Sequence, residues 1–226
     1  MKKVILIYGA PGAGKGTQAD LLSKKFGFYH FDTGKNIEQT INDPENLKDE
    51  NIRKEKELFD SGRLNTPAWV LKEVVIKKTE NLARVGVRMV FSGSPRTLFE
   101  AFGDNENIGL VDVLEKLYGK ENVGILYIKV RPETSVFRNS NRSVCSICGT
   151  PVLYQKECLI TSCPLCAGSL KKRVFDNPEK LKVRLEEYKN RTQPILEELK
   201  KRGFVVNVVN GEPEPFKVFE EVKKKI

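Results

Sequence analysis

The chain has little or none of several features that would point to other classes of protein. Histidine and tryptophan each occur once, and methionine occurs twice, in 226 residues. No run of 18 or more apolar residues is present, which argues against a membrane-spanning helix. Met1-Lys2-Lys3 leads directly into an apolar strand instead of a signal peptide. We therefore expect a soluble, cytoplasmic protein with no membrane partner.

Cysteine is also scarce, and its spacing favours a metal site. The five cysteines are an odd number for a disulfide framework. Four of them form two C-x-x-C pairs separated by fourteen residues, and four thiolates at such a spacing suit one tetrahedral ion. We expect Cys158, between the pairs, to be a spare thiol or to replace one ligand. The predicted structural Zn²⁺ ligands are Cys145, Cys148, Cys163 and Cys166; the alternative is a pair of reduced or disulfide-linked turns.

Acidic residues are outnumbered, and this imbalance predicts an anionic partner. Lys and Arg total 39 against 30 Asp and Glu, a net charge of +9, which suits a nucleotide or a nucleic acid. No basic stripe interleaved with aromatic residues is present, so we expect no nucleic-acid partner.

The length of the chain suffices for one sizeable α/β core with small inserted subdomains.

The segment 4–17 carries the strongest local signal in the chain. An apolar run, Val4 to Ile7, is typical of a strand buried on both faces of a parallel sheet. The pattern G-x-x-x-x-G-K follows, ending at Lys15, and the next hydroxyl comes at Thr17. Such a loop binds polyphosphate through its backbone N–H groups, its lysine and the N-terminus of the next helix. The alternative is a glycine-rich turn that binds no ligand.

Further apolar runs predict more strands of the same sheet. Segments 87–91 and 124–130 are such runs, and Arg96 lies just beyond the end of the first. Ligands in doubly wound α/β sheets bind at the carboxyl ends of strands, so we expect Arg96 near the phosphate loop. Arg138 and Arg142 share one face of a helix that begins at Pro132, although a solvated basic face is the alternative interpretation. We expect His30, the single histidine, to be structural.

Taken together, these motifs resemble the adenylate kinase family of nucleoside monophosphate kinases over almost the whole chain. The matching segments are 9–19, 32–34 and 93–97, the Arg138/Arg142 pair, the four cysteines, and Arg173, Asp176 and Arg184. The resemblance implies an α/β fold with a three-layer, parallel-sheet P-loop core. It assigns residues 1–31, 66–139 and 174–226 to that core, 32–65 to an inserted helical segment that binds the nucleoside monophosphate, and 140–173 to a small zinc-binding lid.

The resemblance also implies a reaction and a set of residue roles. The reaction is transfer of a phosphoryl group from ATP to AMP by a monomeric enzyme, with Mg²⁺ accompanying ATP. The implied catalytic residues are Lys15, Arg96, Arg142, Arg173 and Arg184. The implied ATP-binding residues are Gly12, Ala13, Gly14, Lys15, Gly16, Thr17, Arg138 and Arg142. The implied residues for the nucleoside monophosphate are Thr33, Gly34, Gly93, Arg96, Glu100, Arg173 and Arg184.

Three positions depart from the family pattern. Glu38 replaces an arginine that contacts the acceptor phosphate, and we expect it to pair with Lys35 or Arg53 or to turn out of the site. Ser92 replaces an aspartate near the water shell of Mg²⁺. Glu100 replaces a glutamine that reads adenine, and an ionised glutamate suits guanine better because it only accepts hydrogen bonds. GMP is therefore the second candidate acceptor. The same departures leave open a catalytically weak nucleotide-binding regulator, and the basic charge leaves open a nucleic-acid-binding ATPase.

Overall fold

The computed structural model describes residues 1–152, 160–172 and 177–226. Cys158, Arg173 and Asp176 lie outside the described residues. Within the described ranges, no helix combines the length and the apolar character that crossing a membrane requires.

A five-stranded parallel sheet forms the centre of the protein. The most central strand is completely buried, as its uninterrupted apolar run predicts. The α/β fold with a parallel core sheet is therefore confirmed. In spatial order the strands are β2 (Tyr29–Phe31), β3 (Met89–Phe91), β1 (Val4–Tyr8), β4 (Val123–Lys129) and β8 (Val206–Asn210).

The two faces of this sheet bury separate apolar clusters, because successive side chains of a strand point in opposite directions. Ile5 and Ile7 of β1 belong to the cluster covered by α1 (Lys15–Phe26) and α11 (Pro215–Lys223). Val4 and Leu6 belong to the cluster on the other face. Helices on both sides of one sheet give the three layers.

Helices that return the chain to the core cover the second face. They include α7 (Leu110–Tyr118) and α10 (Pro194–Lys201). A continuous helical segment there consists of α4 (Pro67–Trp69), a π-helical stretch (Val70–Ile76) and α5 (Lys77–Arg84). The other described α-helices are α2 (Thr33–Asn42), α3 (Glu50–Ser61), α6 (Leu98–Phe102), α8 (Pro132–Asn141) and α9 (Pro178–Glu187); 3₁₀ turns cover Asn46–Lys48 and Lys120–Asn122.

Helices α2 and α3 lie between β2 and α4 in the chain, and their side chains Ile37, Ile41 and Ile52 belong to the second apolar cluster. The Asp32 carboxylate caps α2 by accepting a hydrogen bond from the backbone N–H of Lys35 at 3.2 Å. The buried carboxylate of Glu55 accepts hydrogen bonds from the Asn65 side chain at 2.9 Å and from the backbone N–H of Thr66 at 3.0 Å. These last two contacts join α3 to the chain just before α4.

A second, small antiparallel sheet follows α8. Its strands are β5 (Ser143–Cys145), β6 (Pro151–Val152) and β7 (Leu170–Lys171), with β5 in the centre. Near the end of the chain, a π-helical stretch (Tyr188–Thr192) separates α9 from α10, immediately before Pro194. A proline inside a helix cannot donate a backbone hydrogen bond, which accounts for the break in the regular α-helix shortly before Pro194.

Candidate functional site

The phosphate loop connects β1 to α1 and leaves the N-terminus of that helix open. The N-cap residue Gly14 has φ +92° and provides no side-chain hydrogen bond to the first turn, so the N–H groups of α1 face an anion site. Gly12 also has to be glycine, because a Cβ there would lie 2.3 Å from the Asn139 amide nitrogen. Loop and helix thus form a cradle for a polyphosphate.

Lys15 lies in that cradle, where its surroundings disfavour its positive charge. Its ammonium group donates hydrogen bonds to the carbonyl oxygens of Gly9 at 2.7 Å and Ala10 at 3.0 Å. Burial, and after it the nearby positive charges of Arg96, Arg184 and Arg142 in that order of strength, together lower the pKa of Lys15 to about 7. The three guanidinium groups therefore share one confined volume with the lysine.

Most of the predicted site residues line a single cleft of about 1050 Å³. Those in its walls are Gly12, Ala13, Gly14, Lys15, Gly16, Thr17, Gly34, Gly93, Arg96, Arg138, Arg142 and Arg184. The remaining described ones, Thr33 and Glu100, line a small adjoining cavity to which Gly93 and Arg96 also contribute. Arg173 lies outside the described residues.

The Arg138 side chain is held by a loop that follows β8. Its guanidinium donates to the carbonyl oxygens of Gly211 at 2.8 Å and Glu212 at 2.9 Å. The Glu212 carboxylate in turn accepts from the backbone N–H of Arg131 at 2.6 Å and from the Thr134 hydroxyl at 2.7 Å. These bonds join the loop to the start of α8 and fix the guanidinium plane, a flat surface on which an aromatic base stacks.

His30 makes contacts that sequence reasoning missed. One ring nitrogen lies 2.7 Å from an oxygen of Asp20, and the other lies 2.7 Å from the Ser92 hydroxyl. Partial burial opposes ionisation of Asp20, but the bond to His30 and its charge hold the pKa of Asp20 below its usual range. All three residues line the cleft. The single histidine thus orients Ser92, the position at which the chain departs from the family pattern.

Glu100 lies at the other side of the site, on α6. Its side chain is buried, and burial raises the pKa of its carboxyl to about 7 even though Arg96 acts in the opposite direction. Its Oε2 accepts a hydrogen bond from the backbone N–H of Arg96 at 2.9 Å, and its Oε1 accepts a longer one from the Thr97 hydroxyl at 3.4 Å. A group in this state is neutral or ionised depending on the pH.

Glu38 behaves differently from the sequence-based expectation. Among the described residues it forms no ion pair with Lys35 or Arg53, and it is exposed in the wall of the cleft. The expectation that it would pair with Lys35 or Arg53 is wrong, whereas the alternative, that its side chain turns out of the site, stays a prediction. Lys35, Lys56 and Arg63 line the same cleft, so its wall carries cations as well as this carboxylate.

The four predicted zinc ligands lie together in the small sheet region. Their sulfur atoms all fall within 4.8 Å of one another, with Cys145 and Cys166 at 3.4 Å and Cys148 and Cys163 at 3.7 Å. Four sulfurs about 2.3 Å from a central zinc are roughly 3.8 Å apart in a tetrahedron. The four-cysteine cluster is therefore compatible with one zinc ion.

Comparison with known proteins identifies the family. The family model "Adenylate kinase" matches residues 7–204. The chain belongs to the adenylate kinase family. It resembles the adenylate kinase of Caldicellulosiruptor bescii, with 34% identity over 97% of both chains. It also resembles those of Mesoplasma florum, with 35% identity over 96% of this chain and 97% of the relative, and Caldicellulosiruptor saccharolyticus, with 33% identity over 92% of each.

Membership in the adenylate kinase family establishes the reaction class. Proteins of this family are nucleoside monophosphate kinases that use Mg²⁺ with ATP, so the chain is a phosphotransferase. The cleft contains the donor atoms that such an ion requires, since Thr17, Asp20, Asp32 and Ser92 bring oxygen atoms to its wall. The residues present therefore fit a hard divalent cation that enters with the nucleotide.

Proposed function

We propose that this protein catalyses the reversible reaction ATP + AMP = 2 ADP by in-line phosphoryl transfer. The observation that carries the proposal is the convergence of Arg96, Arg142 and Arg184 on Lys15, whose pKa burial and these three charges together lower to about 7. Two phosphate tails and a transition state concentrate more negative charge than one Mg²⁺ balances, and a cluster of fixed cations supplies the difference.

The donor side of the cleft is assigned to ATP. The open N-terminus of α1 and Lys15 would bind the β and γ phosphates, and the adenine ring would stack on the Arg138 guanidinium, whose plane the 211–213 carbonyls fix. Mg²⁺ that enters with ATP would neutralise part of the charge on its phosphates. Thr17 and Ser92 would be its nearest hydroxyl partners, and His30 would keep the Ser92 hydroxyl oriented.

The acceptor side is assigned to AMP, whose phosphate Arg96 would grip. A phosphate oxygen of AMP forms a bond to the γ phosphorus of ATP, while the bond from that phosphorus to the β–γ bridging oxygen breaks and leaves ADP. Arg142, Arg184 and Arg173 would surround the transferring group, and Arg173 takes this role from the family pattern alone. Closing these arginines over the group excludes the water that would otherwise hydrolyse ATP.

The finer organisation follows the same pattern. We assign residues 1–31, 66–139 and 174–226 to the core, 32–65 to the segment that binds AMP, and 140–173 to a lid. A structural zinc held by the four cysteines would stabilise the lid, because a segment this small cannot bury a core of its own. A monomeric, cytoplasmic enzyme remains our expectation.

The test is an acceptor panel with a matched pair of variants. Purified protein and MgATP are incubated with AMP, GMP, CMP or UMP, while new diphosphate and free phosphate are measured separately. We expect ADP from AMP, and we expect Arg184→Ala to reduce kcat by about 10²- to 10³-fold, as loss of one fixed charge at the transferring group does elsewhere. Arg84→Ala is the control, because Arg84 is exposed on α5 outside the cleft.

Two results would contradict the proposal. Equal phosphate release with every acceptor, without new diphosphate, would indicate an ATPase. Nucleotide binding with no turnover would indicate a regulatory protein.

A further inference from the structure

Two buried hydroxyl groups and one buried carboxyl group line the small cavity beside the cleft. Thr33 is 1% exposed, Ser94 is 6% exposed and Glu100 is 4% exposed. The hydroxyl oxygens of Thr33 and Ser94 have no hydrogen-bond partner among the described residues. Buried polar atoms without partners are costly, so this arrangement indicates a ligand with a polar edge.

The position of the cavity identifies which part of a ligand reaches it. Ile37, Leu64, Asn65 and Arg96 line both the cavity and the large cleft. The cavity itself holds about 10 Å³, room for roughly one water-sized polar group and not for a ring. An acceptor whose phosphate lies at Arg96 would therefore place its ring in the cleft and one hydrogen-bonding edge against Glu100.

We propose that Glu100 reads the acceptor base in two protonation states, so that the preference for AMP over GMP decreases as the pH rises. The inference rests on the proposed function, since it concerns the acceptor of the same reaction. It makes Glu100 a specificity-determining residue whose preference between the two bases depends on the pH as well as on the side chain.

The neutral acid has the hydrogen-bonding pattern of an amide. Oε2 accepts the backbone N–H of Arg96 at 2.9 Å, whereas Oε1 accepts only the longer bond from the Thr97 hydroxyl at 3.4 Å, so the proton of the neutral form is assigned to Oε1. An O–H at Oε1 then donates to N1 of adenine, while the remaining lone pair of Oε2 accepts from the adenine amino group. Neutral Glu100 therefore selects AMP.

The ionised carboxylate has two acceptors and no donor. Guanine offers two donors side by side, its N1–H and its amino group, which match the two carboxylate oxygens. The guanine O6 then needs a donor, and the hydroxyls of Ser94 and Thr33 have none of their hydrogen-bonding capacity used among the described residues. Ionised Glu100 therefore selects GMP and leaves the N1 acceptor of adenine facing negative charge.

The surroundings of Glu100 place its change of protonation state within the pH range of an ordinary enzyme assay. Burial raises its pKa to about 7, against the opposing effects of Arg96 and of Arg191 in the π-helical stretch 188–192. The Tyr8 phenol faces it from β1, and the negative charge of Glu100 contributes to raising the pKa of Tyr8.

Two of the helices that pack against α6 carry further charges, but none of these is among the main causes of the shift in the pKa of Glu100; they are Asp112, Glu115 and Lys116 on α7 and Glu197, Glu198, Lys200 and Lys201 on α10. On α7 and at the end of α10, Asp112 and Arg202 form an ion pair with each other at 3.2 Å, and α4 carries no ionisable side chain.

The experiment measures kcat/KM for AMP and for GMP, each with saturating MgATP, from about pH 6 to pH 8.5. With a pKa of about 7, the neutral fraction of Glu100 decreases roughly 30-fold over this range. We expect the AMP-to-GMP ratio of kcat/KM to decrease by at least about tenfold. Ionisation of the acceptor phosphate cancels in the ratio, because both nucleotides carry the same group.

Glu100→Gln is the matched variant. Its amide cannot titrate, so we expect a ratio that favours AMP and does not change over the same pH range. Calorimetric titration of AMP and GMP into the protein without ATP gives a second readout that does not depend on turnover, and circular dichroism confirms that the variant folds.

The outcomes separate the inference from the proposed function. A wild-type ratio that stays constant with pH, while AMP is still converted to ADP, overturns the inference and leaves the kinase assignment intact. A ratio that changes equally in wild type and Glu100→Gln also overturns it, because the titrating group is then another one. Absence of diphosphate from every acceptor at every pH overturns the proposed function itself.

Discussion

Binding of ATP above neutral pH should take up a proton at Lys15. In the free protein, burial and the charges of Arg96, Arg184 and Arg142 lower the pKa of this lysine to about 7. A polyphosphate beside the ammonium group reverses this effect, because an opposite charge favours the protonated form. The perturbation is therefore simple, namely addition of MgATP at a series of pH values.

The magnitude follows from the pKa. At pH 8 about nine-tenths of the free protein carries a neutral Lys15, so binding should take up about 0.9 proton, and the apparent affinity should be about tenfold lower than at pH 6. Each further pH unit should cost roughly another tenfold, until the pKa of the bound state is reached. Below about pH 6 the lysine is already charged, and uptake should vanish.

Isothermal titration calorimetry in buffers of different ionisation enthalpy measures the number of protons. Lys15→Arg is the matched control, because a guanidinium keeps its proton throughout this range and fixes the charge. The variant should bind without the uptake seen in wild type. Zero uptake by wild type at pH 8, or equal uptake by both proteins, would show that the lysine is charged in the free cleft and that the electrostatic argument is wrong.

Three other expectations concern stability and the donor side. Chelation of a zinc ion held by the four cysteines would remove roughly 2 to 3 kcal/mol of binding energy, so the midpoint of thermal unfolding should decrease by about 5 to 10 °C. This decrease should occur before turnover is affected. An unchanged midpoint would exclude a stabilising ion. The raised pKa of Glu100 means that ionising it costs the folded state up to roughly 3 kcal/mol, so the free energy of unfolding of wild type should decrease between about pH 4.5 and 7. Glu100→Gln should remove this decrease. Urea unfolding at both pH values tests the prediction, and parallel pH curves for the two proteins would refute it. Glu212→Ala should weaken ATP binding about fivefold, the effect of roughly one hydrogen bond, because the loop carbonyls that hold Arg138 lose their support. The KM of the acceptor should not change. An equal effect on both substrates would point to general unfolding.

The sheet could be predicted from the sequence because each strand is marked locally. The apolar run at 4–7 continues as a buried strand to Tyr8, and the run at 124–130 forms β4 one residue earlier, at Val123–Lys129. At segment 87–91 only Met89–Phe91 pairs as a strand. The π-helical stretches were not predictable, because their hydrogen bonds depend on how the helix packs and not on a residue pattern.

The cationic residues of the site were also predictable, whereas the contacts of His30 with Asp20 and Ser92 were not. Arg96, Arg142 and Arg184 belong to motifs with fixed order, so their sequence positions sufficed. Contacts between separate elements left no such signal: Asp20 on α1 and Ser92 after β3 meet only through His30 on β2. A sole histidine beside aromatic residues is typical of a structural position, and only the fold shows that it borders the cleft.

The same electrostatics connect the two substrates. Arg96, assigned to the acceptor phosphate, is the strongest of the charges that lower the pKa of Lys15, the residue assigned to the donor. An acceptor phosphate that neutralises Arg96 therefore raises the pKa of Lys15 and increases the charged fraction that ATP requires. By thermodynamic reciprocity ATP strengthens acceptor binding equally. This coupling acts above pH 7, where Lys15 in the free protein is mostly neutral, and it disappears where the lysine is already protonated, leaving only the repulsion between the two phosphate tails.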